Sequence, residues 1–268
     1  MPKAKVNGIE LYYEVCGPEG ADPLLMIQGL GHDARFWFRQ VPELSRHFRL
    51  ILFDNRGVGR SDKPDEPYSI AGDAADAVGL LDFLGIDRAH VLGVSRGGYI
   101  AQEIAISYPE RVRKLVLLGT HYGGPEYLEL TRDLWKELLD VKGLPPDEIH
   151  RRFIRYAVTE GFFERERELV EEMVRMRLEL PQPAYAFKRQ FDAAAAFDAK
   201  DRVHLIKAPT LLLAGKEDKI VPLVLMERLA ERIPNARLVV VEGAGHFFFI
   251  ERPEVVNREI VRFLKGEG

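Results

Sequence analysis

A serine flanked by glycines is the residue of this chain best suited to nucleophilic chemistry. Ser95 lies at the centre of Gly93-Val94-Ser95-Arg96-Gly97, directly after an apolar run and directly before a helical pattern. Small neighbours let a strand turn sharply into a helix, with the serine backbone strained and its hydroxyl exposed. The five-residue pattern is weak alone, and this strand-to-helix setting makes it specific. We therefore predict that Ser95 is a catalytic nucleophile.

A histidine in a glycine-rich loop is the predicted general base, because a serine hydroxyl is a poor nucleophile without one. His246 ends Glu242-Gly243-Ala244-Gly245-His246, between the last apolar run and the final helical pattern, and no other of the seven histidines has this setting. Three residues at strand ends are predicted to line a substrate pocket: His32, His121 and Tyr122. Four histidines in charged surroundings are predicted to lie at the surface: His47, His90, His150 and His204.

A carboxylate after a third apolar run is predicted to orient the imidazole. Asp218 follows the run 210–213 within Gly215-Lys216-Glu217-Asp218, and the adjacent Glu217 is the alternative. The chain order is then nucleophile, acid and base, which differs from the order in the two best-known kinds of serine protease.

The elements that must position these residues alternate between short apolar runs and helical patterns. Beyond an N-terminal hairpin around Asn7-Gly8, apolar runs predict strands at 24–27, 50–53, 91–94, 115–118, 210–213 and 238–241. Helical patterns lie at about 36–46, 69–84, 97–108, 222–233 and 253–265. Continuous apolar runs are typical of parallel strands that are buried on both faces. The fold class is therefore α/β, with a mostly parallel twisted sheet and helices on both faces.

One long segment interrupts this alternation. Residues 122–204 contain no convincing strand, whereas helical spacing recurs there, and about eighty residues far exceed an ordinary crossover connection. We predict three or four helices that form a cap over the sheet. The core domain then comprises residues 1–121 and 205–268, and the helical cap comprises 122–204.

The chain resembles the α/β-hydrolase fold family over nearly its whole length. The resemblance rests on the serine turn and on Asp54-Asn55-Arg56-Gly57-Val58-Gly59-Arg60-Ser61, Tyr108-Pro109-Glu110-Arg111-Val112, Ala208-Pro209-Thr210 and Glu251-Arg252-Pro253. The stretch from Gly93 to Gln102 and the chain length are similar to 3-oxoadipate enol-lactonases and small carboxylesterases. The resemblance implies an oxyanion hole formed by the backbone N–H groups of Leu30 and Arg96. One departure concerns Gln28-Gly29, where the family usually has His-Gly.

The implied reaction is hydrolysis of a small carboxylic ester or lactone through an acyl-enzyme, with a Ser-His-Asp triad and no cofactor or metal. A C–C bond hydrolase or a perhydrolase would use the same residues and is the alternative. A remote alternative is a nucleotide-binding oxidoreductase. It rests on the Gly-x-Gly-x-x-Ala pattern from Gly29 to Ala34 and on Asp54 at the end of the next strand, where a ribose-binding acid would stand.

Composition excludes several other classes of protein. The net charge of −4 disfavours a nucleic-acid partner, which usually requires a basic face. No apolar run approaches 18 residues, so no membrane span is expected. A single cysteine, Cys16, excludes an intramolecular disulfide. These features predict a cytoplasmic enzyme with a small-molecule substrate, and the sequence leaves its oligomeric state open.

Overall fold

Eight strands form one mixed sheet in the computed structural model, which describes residues 2–267. The strands are β1 (Lys3–Val6), β2 (Ile9–Cys16), β3 (Pro23–Ile27), β4 (Arg49–Phe53), β5 (Ala89–Val94), β6 (Val112–Leu118), β7 (Thr210–Gly215) and β8 (Ala236–Val241). Their spatial order is β1-β2-β4-β3-β5-β6-β7-β8. Strands β1 and β2 pair antiparallel, as do β2 and β4, and all other neighbours are parallel. The predicted α/β class with a mostly parallel sheet is confirmed.

The N-terminal hairpin turns at the predicted dipeptide. Asn7 and Gly8 both have positive φ angles, of 46° and 81°, as a tight two-residue hairpin turn requires. The central strands are buried on both faces because their side chains are continuously apolar: every residue of β5 and of β7 is buried. Helices therefore cover the sheet on both sides.

The helices are α1 (Val41–Leu44), α2 (Ile70–Phe83), α3 (Arg96–Ser107), α4 (Pro125–Leu130), α5 (Arg132–Leu139), α6 (Pro146–Ala157), α7 (Glu160–Arg165), α8 (Arg167–Glu179), α9 (Ala184–Ala195), α10 (Leu223–Arg232), α11 (Phe248–Glu251) and α12 (Pro253–Lys265). The prediction of one helix over about 36–46 is wrong. A short 3₁₀ segment, Ala34–Trp37, and the single turn α1 occupy this region, and Pro42 at the start of α1 has no N–H to continue an earlier helix.

The long segment between β6 and β7 contains six helices, α4 to α9, rather than three or four. Its two ends meet: Gly124 N–H donates to Phe197 O at 2.8 Å, and Ala199 N–H donates to Tyr122 O at 2.7 Å. Insertions leave and rejoin a fold at one place in this way. Among residues 2–267, no helix is long and apolar enough to cross a bilayer.

The parallel strands bring three loops to one edge of the sheet. Ser95 follows β5, Asp218 lies between β7 and α10, and His246 lies between β8 and α11. Because carboxyl ends of parallel strands share one edge, residues more than 120 positions apart in the chain become neighbours.

Candidate active site

Ser95 lies in a strained turn between β5 and α3. Its φ of 53° and ψ of −121° fall in a region that non-glycine residues rarely adopt. The turn is tight because its glycines permit close approach: a Cβ on Gly93 would lie 2.2 Å from Gly97 O, and one on Gly97 would lie 2.3 Å from Ile27 O. The Ser95 N–H donates to Leu118 O at 2.9 Å, which ties the turn to the end of β6.

The histidine and the aspartate form a buried pair. His246 Nδ1 lies 2.7 Å from Asp218 Oδ2, and both residues are buried. The other oxygen, Asp218 Oδ1, accepts hydrogen bonds from the N–H groups of Ile220 and Val221, each at 2.8 Å. These bonds hold the carboxylate in the orientation in which its second oxygen accepts from the imidazole. Glu217, the sequence alternative, is exposed and does not contact His246.

A second carboxylate holds the histidine loop. Glu251 Oε1 accepts the Gly245 N–H at 2.7 Å, and Glu251 Oε2 accepts both the N–H and the hydroxyl of Thr159, at 3.0 and 2.7 Å. Phe247 N–H also donates to Ala157 O at 2.7 Å. Ala157 is the last residue of α6 and Thr159 caps the start of α7, so the inserted helices and the histidine loop are joined directly.

Leu30 and Arg96, the residues predicted to form an oxyanion hole, lie close to Ser95 on different elements. Arg96 is the first residue of α3, where an N–H has no partner inside its own helix. The loop after β3 closely approaches Ser95, since a Cβ on Gly29 would lie 3.3 Å from Ser95 Cβ. Leu30, next in this loop, lines the same cavity as Ser95. Within residues 2–267, neither the Leu30 nor the Arg96 N–H has a protein acceptor.

The serine and the histidine line one small cavity of about 20 Å³. Gln28 also lines it and is buried. Its Oε1 accepts the Gly29 N–H at 3.2 Å, which fixes the orientation of the amide, and Nε2 has no partner within the described chain. A buried amide nitrogen without a partner is costly, so this donor is available to a ligand or a water molecule in the cavity.

A second lobe of about 50 Å³ extends from Ser95 towards His121 and Tyr99. His121 Nδ1 accepts the Gly123 N–H at 3.0 Å, so the ring hydrogen of the neutral imidazole lies on Nε2 and is donated to the Tyr99 hydroxyl oxygen. Burial lowers the pKa of His121 to about 3. The Tyr99 hydroxyl therefore keeps its own hydrogen for donation into the lobe. Burial raises the pKa of Tyr99 well above its usual value, so it stays protonated.

The other predicted pocket residues differ in their placement. His32 is buried, lines the small cavity beside Ser95, and its Nδ1 lies 2.9 Å from Leu30 O. Tyr122 lies elsewhere, because its hydroxyl donates to Glu126 at 2.5 Å and the guanidinium of Arg232 lies 5.5 Å from its ring centre. It lines none of the cavities that Ser95 lines. Tyr122 is buried between the insertion and α10 instead.

A larger cavity of about 470 Å³ lies beneath the inserted helices. Leu30 and His32 line both this cavity and the small one beside Ser95, so the two cavities adjoin. Its lining includes His150, which the sequence assigned to the surface. His90, also expected at the surface, is buried at 4% exposure beside Phe48. A surface depression between α1 and α12 contains none of the predicted site residues.

Gln190 of α9 joins the inserted helices to the loops that carry Gly31 and Arg56 and to Arg96 at the start of α3. Sequence reasoning did not identify it. Its side chain is fully buried. Oε1 accepts the Gly31 N–H and Gln182 Nε2, both at 3.1 Å, and Nε2 donates to Arg56 O at 2.6 Å. Its main-chain oxygen accepts from Arg96 Nε at 3.1 Å. One polar residue in a helix gives no local sign of such contacts, so no sequence signal could have found it.

Asp54, the ribose-binding acid of the nucleotide-binding alternative, is already engaged in hydrogen bonds within the protein. Asp54 is buried, and its carboxylate accepts hydrogen bonds from the Ala34 N–H and from the main chain and guanidinium of Arg60. The glycine pattern that precedes it follows the third strand of the chain rather than the first, because the antiparallel pair β1 and β2 comes before β3. The residues of the nucleotide-binding alternative therefore have structural roles.

Comparison with known proteins identifies the fold family. A family model described as the alpha/beta hydrolase fold matches residues 22–253. The chain is 32% identical over 271 residues to a protein named carbamate hydrolase RutD from Caulobacter sp. (strain K31), with full coverage of both. The enol-lactonase from Burkholderia xenovorans LB400 superposes with a TM-score of 0.88 and 28% identity, covering 98% of this chain and 100% of that one. A thermophilic esterase from Thermogutta terrifontis gives a TM-score of 0.85 and 30% identity, covering 100% and 99%.

Proposed function

We propose that this chain, which belongs to the α/β hydrolase fold family, is a serine hydrolase that cleaves small carboxylic esters or lactones through an acyl-enzyme intermediate. The observation that carries the proposal is the Asp218–His246 pair at 2.7 Å, whose imidazole lines one cavity with the strained Ser95. A nucleophile, a base and a group that orients the base are the minimum set for this chemistry.

In the proposed reaction, His246 takes the proton of Ser95 as the serine oxygen attacks the substrate carbonyl. Asp218 holds the imidazole in the tautomer that leaves Nε2 free as a base, and then stabilises the imidazolium. His246 next donates the proton to the leaving oxygen. A water molecule repeats the sequence on the acyl-enzyme, which releases the acid and restores the serine.

The negative charge of the tetrahedral intermediate is assigned to the Leu30 and Arg96 N–H groups. Both lack a protein acceptor among residues 2–267 and flank Ser95, and Arg96 begins a helix whose dipole favours an anion. One such donor typically contributes about 3–4 kcal/mol to the stabilisation of the transition state. His32, His121 and the Gln28 amide then supply polar contacts around the substrate.

We further propose that residues 122–204 are a cap domain and that 1–121 and 205–268 form the catalytic core. The cap would cover the larger cavity and limit the size of the acyl or alcohol group. The names of the similar proteins refer to a carbamate, an enol-lactone and esters, which supports an acyl substrate. Small-molecule hydrolysis without a cofactor is the activity this set of residues fits best.

Substitution of the nucleophile tests the proposal. Purified wild-type protein and Ser95→Ala should be compared on p-nitrophenyl acetate, p-nitrophenyl butyrate and γ-butyrolactone, with circular dichroism to verify that both are folded. Ser95→Ala should lower kcat by roughly 10³-fold or more because the covalent step is lost. A kcat within tenfold of the wild-type value would refute the assignment of Ser95. Turnover of vinylogous diketones in preference to all esters would favour the C–C hydrolase alternative.

A further inference from the structure

A buried phenol hydroxyl lies in the second lobe, on the side of Ser95 away from the catalytic histidine. Tyr99 is in the first turn of α3, four residues after Ser95, and is buried. It lines the lobe together with His121, and most of the other lining side chains are aliphatic or aromatic. The Tyr99 hydroxyl is therefore a polar group in a largely apolar part of the site.

The main chain fixes the hydrogen-bond roles of the Tyr99–His121 pair. The Gly123 N–H donates to His121 Nδ1 at 3.0 Å, so the hydrogen of the neutral ring is on Nε2, which contacts the Tyr99 hydroxyl. Gln102 Nε2 also donates to His121 O at 2.9 Å, and the two bonds hold the histidine in place. The Tyr99 oxygen accepts the imidazole hydrogen and must direct its own hydrogen elsewhere.

The hydroxyl hydrogen of Tyr99 has no acceptor within the part of the chain that the structure describes. Among residues 2–267, the Tyr99 hydroxyl forms a hydrogen bond with His121 Nε2 alone. Burial lowers the pKa of His121 to about 3 and raises that of Tyr99 well above its usual value, so both groups are neutral at pH 7. A buried donor that stays unpaired is costly. Its position therefore favours a ligand that brings an acceptor atom into the lobe.

The second lobe lies on the acyl side of the proposed reaction centre. Ser95 lines it together with both residues proposed for the oxyanion hole, whereas His246 lines the other small cavity beside Ser95. The leaving oxygen must lie next to His246, which protonates it, so the acyl group points towards Tyr99. Leu30 and Trp135 line both the lobe and the larger cavity, so a longer acyl chain has room to continue.

We propose that Tyr99 determines specificity by donating its hydroxyl hydrogen to the acyl group, so that the preferred substrates carry an ether or keto oxygen close to the scissile carbonyl. This inference rests on the proposed hydrolase function. The lobe holds only about 50 Å³, which places the acceptor within the first few atoms of the acyl group. A purely aliphatic acyl group leaves the donor unpaired, and a site that bonds a substrate polar group discriminates against analogues that lack it.

Two esters of equal acyl length test the proposal. p-Nitrophenyl methoxyacetate carries an ether oxygen at the position where p-nitrophenyl butyrate carries a methylene group. Tyr99→Phe removes only the hydroxyl, and it should lower kcat/KM for the methoxyacetate by about 5- to 10-fold while changing the butyrate value by less than about twofold. Each ester is compared between variant and wild type, so the different intrinsic reactivities of the two esters cancel.

The matched control is Tyr68→Phe, which should leave both esters unchanged. Tyr68 is also buried, but its hydroxyl donates to Pro64 O at 2.8 Å and it lines neither cavity beside Ser95. A second pair, p-nitrophenyl 3-methoxypropanoate and p-nitrophenyl pentanoate, places the oxygen one atom further from the carbonyl. Loss of selectivity in either pair supports the proposal, and its absence in both refutes it.

Ligand binding separates this inference from the proposed activity. Methyl methoxyacetate and methyl butyrate are titrated into Ser95→Ala that carries ¹³C at the tyrosine Cζ atoms, and the Tyr99 signal is assigned by its loss in Tyr99→Phe. We expect the methoxyacetate to shift that signal and the butyrate to leave it nearly unchanged. If no ester is hydrolysed but the signal shifts in this way, the acceptor site stands and the hydrolase assignment fails. If the esters are hydrolysed and Tyr99→Phe does not alter selectivity, the acceptor site is refuted and the hydrolase assignment stands.

Two further outcomes bear on the side chain itself. An equal loss on both esters in Tyr99→Phe would mean that the hydroxyl only supports the fold, and the proposal would fall. If that variant does not fold, wild-type selectivity decides instead. The kcat/KM ratio of methoxyacetate to butyrate, divided by the ratio of their rate constants for hydrolysis by hydroxide, should be about five or more, and a value near one would refute the hydrogen bond.

Discussion

Removal of the Gln190 amide is the most direct test of whether the proposed cap shapes the proposed oxyanion hole. Gln190→Leu conserves side-chain size but loses both polar atoms of a fully buried residue. The Gly31 N–H, the Gln182 amide nitrogen and Arg56 O each lose a hydrogen bond. The main-chain bond from Arg96 Nε to Gln190 O survives, because it does not involve the substituted atoms.

The magnitude follows from the two groups that are left unpaired, the Gly31 N–H and Arg56 O, since Gln182 Nε2 keeps its hydrogen bond to Gly57 O at 2.8 Å. Each such group costs about 1 kcal/mol or more, so the free energy of unfolding should fall by roughly 2 kcal/mol. The catalytic effect arises at Gly31, since its N–H anchors the loop that carries Leu30. Complete loss of one oxyanion donor costs about 10²- to 10³-fold in kcat. Gly29 remains bound to Gln28 Oε1, so we expect a smaller loss, about 10- to 100-fold.

Steady-state kinetics on p-nitrophenyl acetate, at a temperature where urea titration shows each variant folded, measures this effect. The loss should appear in kcat more than in KM, because the oxyanion contact forms in the transition state. Arg189→Leu is the matched control on the same helix, since its guanidinium only pairs with the exposed Asp65 at 3.2 Å. Gln190→Glu retains an acceptor for Gly31 and should be more active than Gln190→Leu.

A kcat for Gln190→Leu within threefold of the wild-type value, in a folded variant, would refute this reasoning. The Leu30 N–H would then be positioned by the core alone, and the hydrogen bond between α9 and Gly31 would have only a structural role. A loss confined to KM would point to substrate contact and would likewise contradict the positioning argument.

Three other predictions concern the acid, the substrate and pH. Asp218→Asn should lower kcat by about 10³- to 10⁴-fold and Glu217→Gln by less than about twofold, because Asp218 is the residue that binds the imidazole. The reverse ranking in matched assays would mean that Glu217 is the acid of the triad. Across p-nitrophenyl acetate, butyrate, octanoate and palmitate, kcat/KM should fall beyond about six to eight carbons, since the cap cavity holds about 470 Å³; equal turnover of the palmitate would mean an open cap. Burial lowers the pKa of His121 to about 3. As the pH falls from 6.5 to 5, this histidine therefore binds a proton in the unfolded chain but not in the folded one. The free energy of unfolding should then decrease by about 2 kcal/mol because of this residue. Urea midpoints of wild-type protein and His121→Gln across that range would measure it, and an identical pH slope in both would contradict the assignment.

Much of the sheet was predictable because its signals are local. A run such as Leu211–Leu213 is apolar on both faces and can only be stable as a covered strand, whatever surrounds it in the chain. The serine turn is equally local, since Gly93 and Gly97 allow close contacts that a Cβ would block. The same reasoning failed at about 36–46, where aromatic residues with helical spacing pack as a 3₁₀ segment and a single turn.

Burial of polar side chains was harder to predict. His90 is flanked by charged residues in the sequence, but it lies on β5 in the middle of the sheet and is buried. Tyr122 follows a strand end that reaches the site, but the chain turns there at two positive-φ glycines, Gly123 and Gly124, and the ring packs below Arg232. In both cases the neighbours that decide exposure are distant in the chain.

The sequence by itself determined the α/β class, the inserted helical segment and the candidate nucleophile, acid and base, because periodicity, turn glycines and strand ends act over a few residues. Only the tertiary structure decided that Asp218 rather than Glu217 meets His246, that Gln190 holds the Gly31 N–H, and that Arg177 lines the larger cavity. Gly31 and Gln190 are 159 positions apart, and their contact exists only once the cap is docked on the core. Contacts of this kind depend on how two surfaces pack, and no pattern within either segment encodes them.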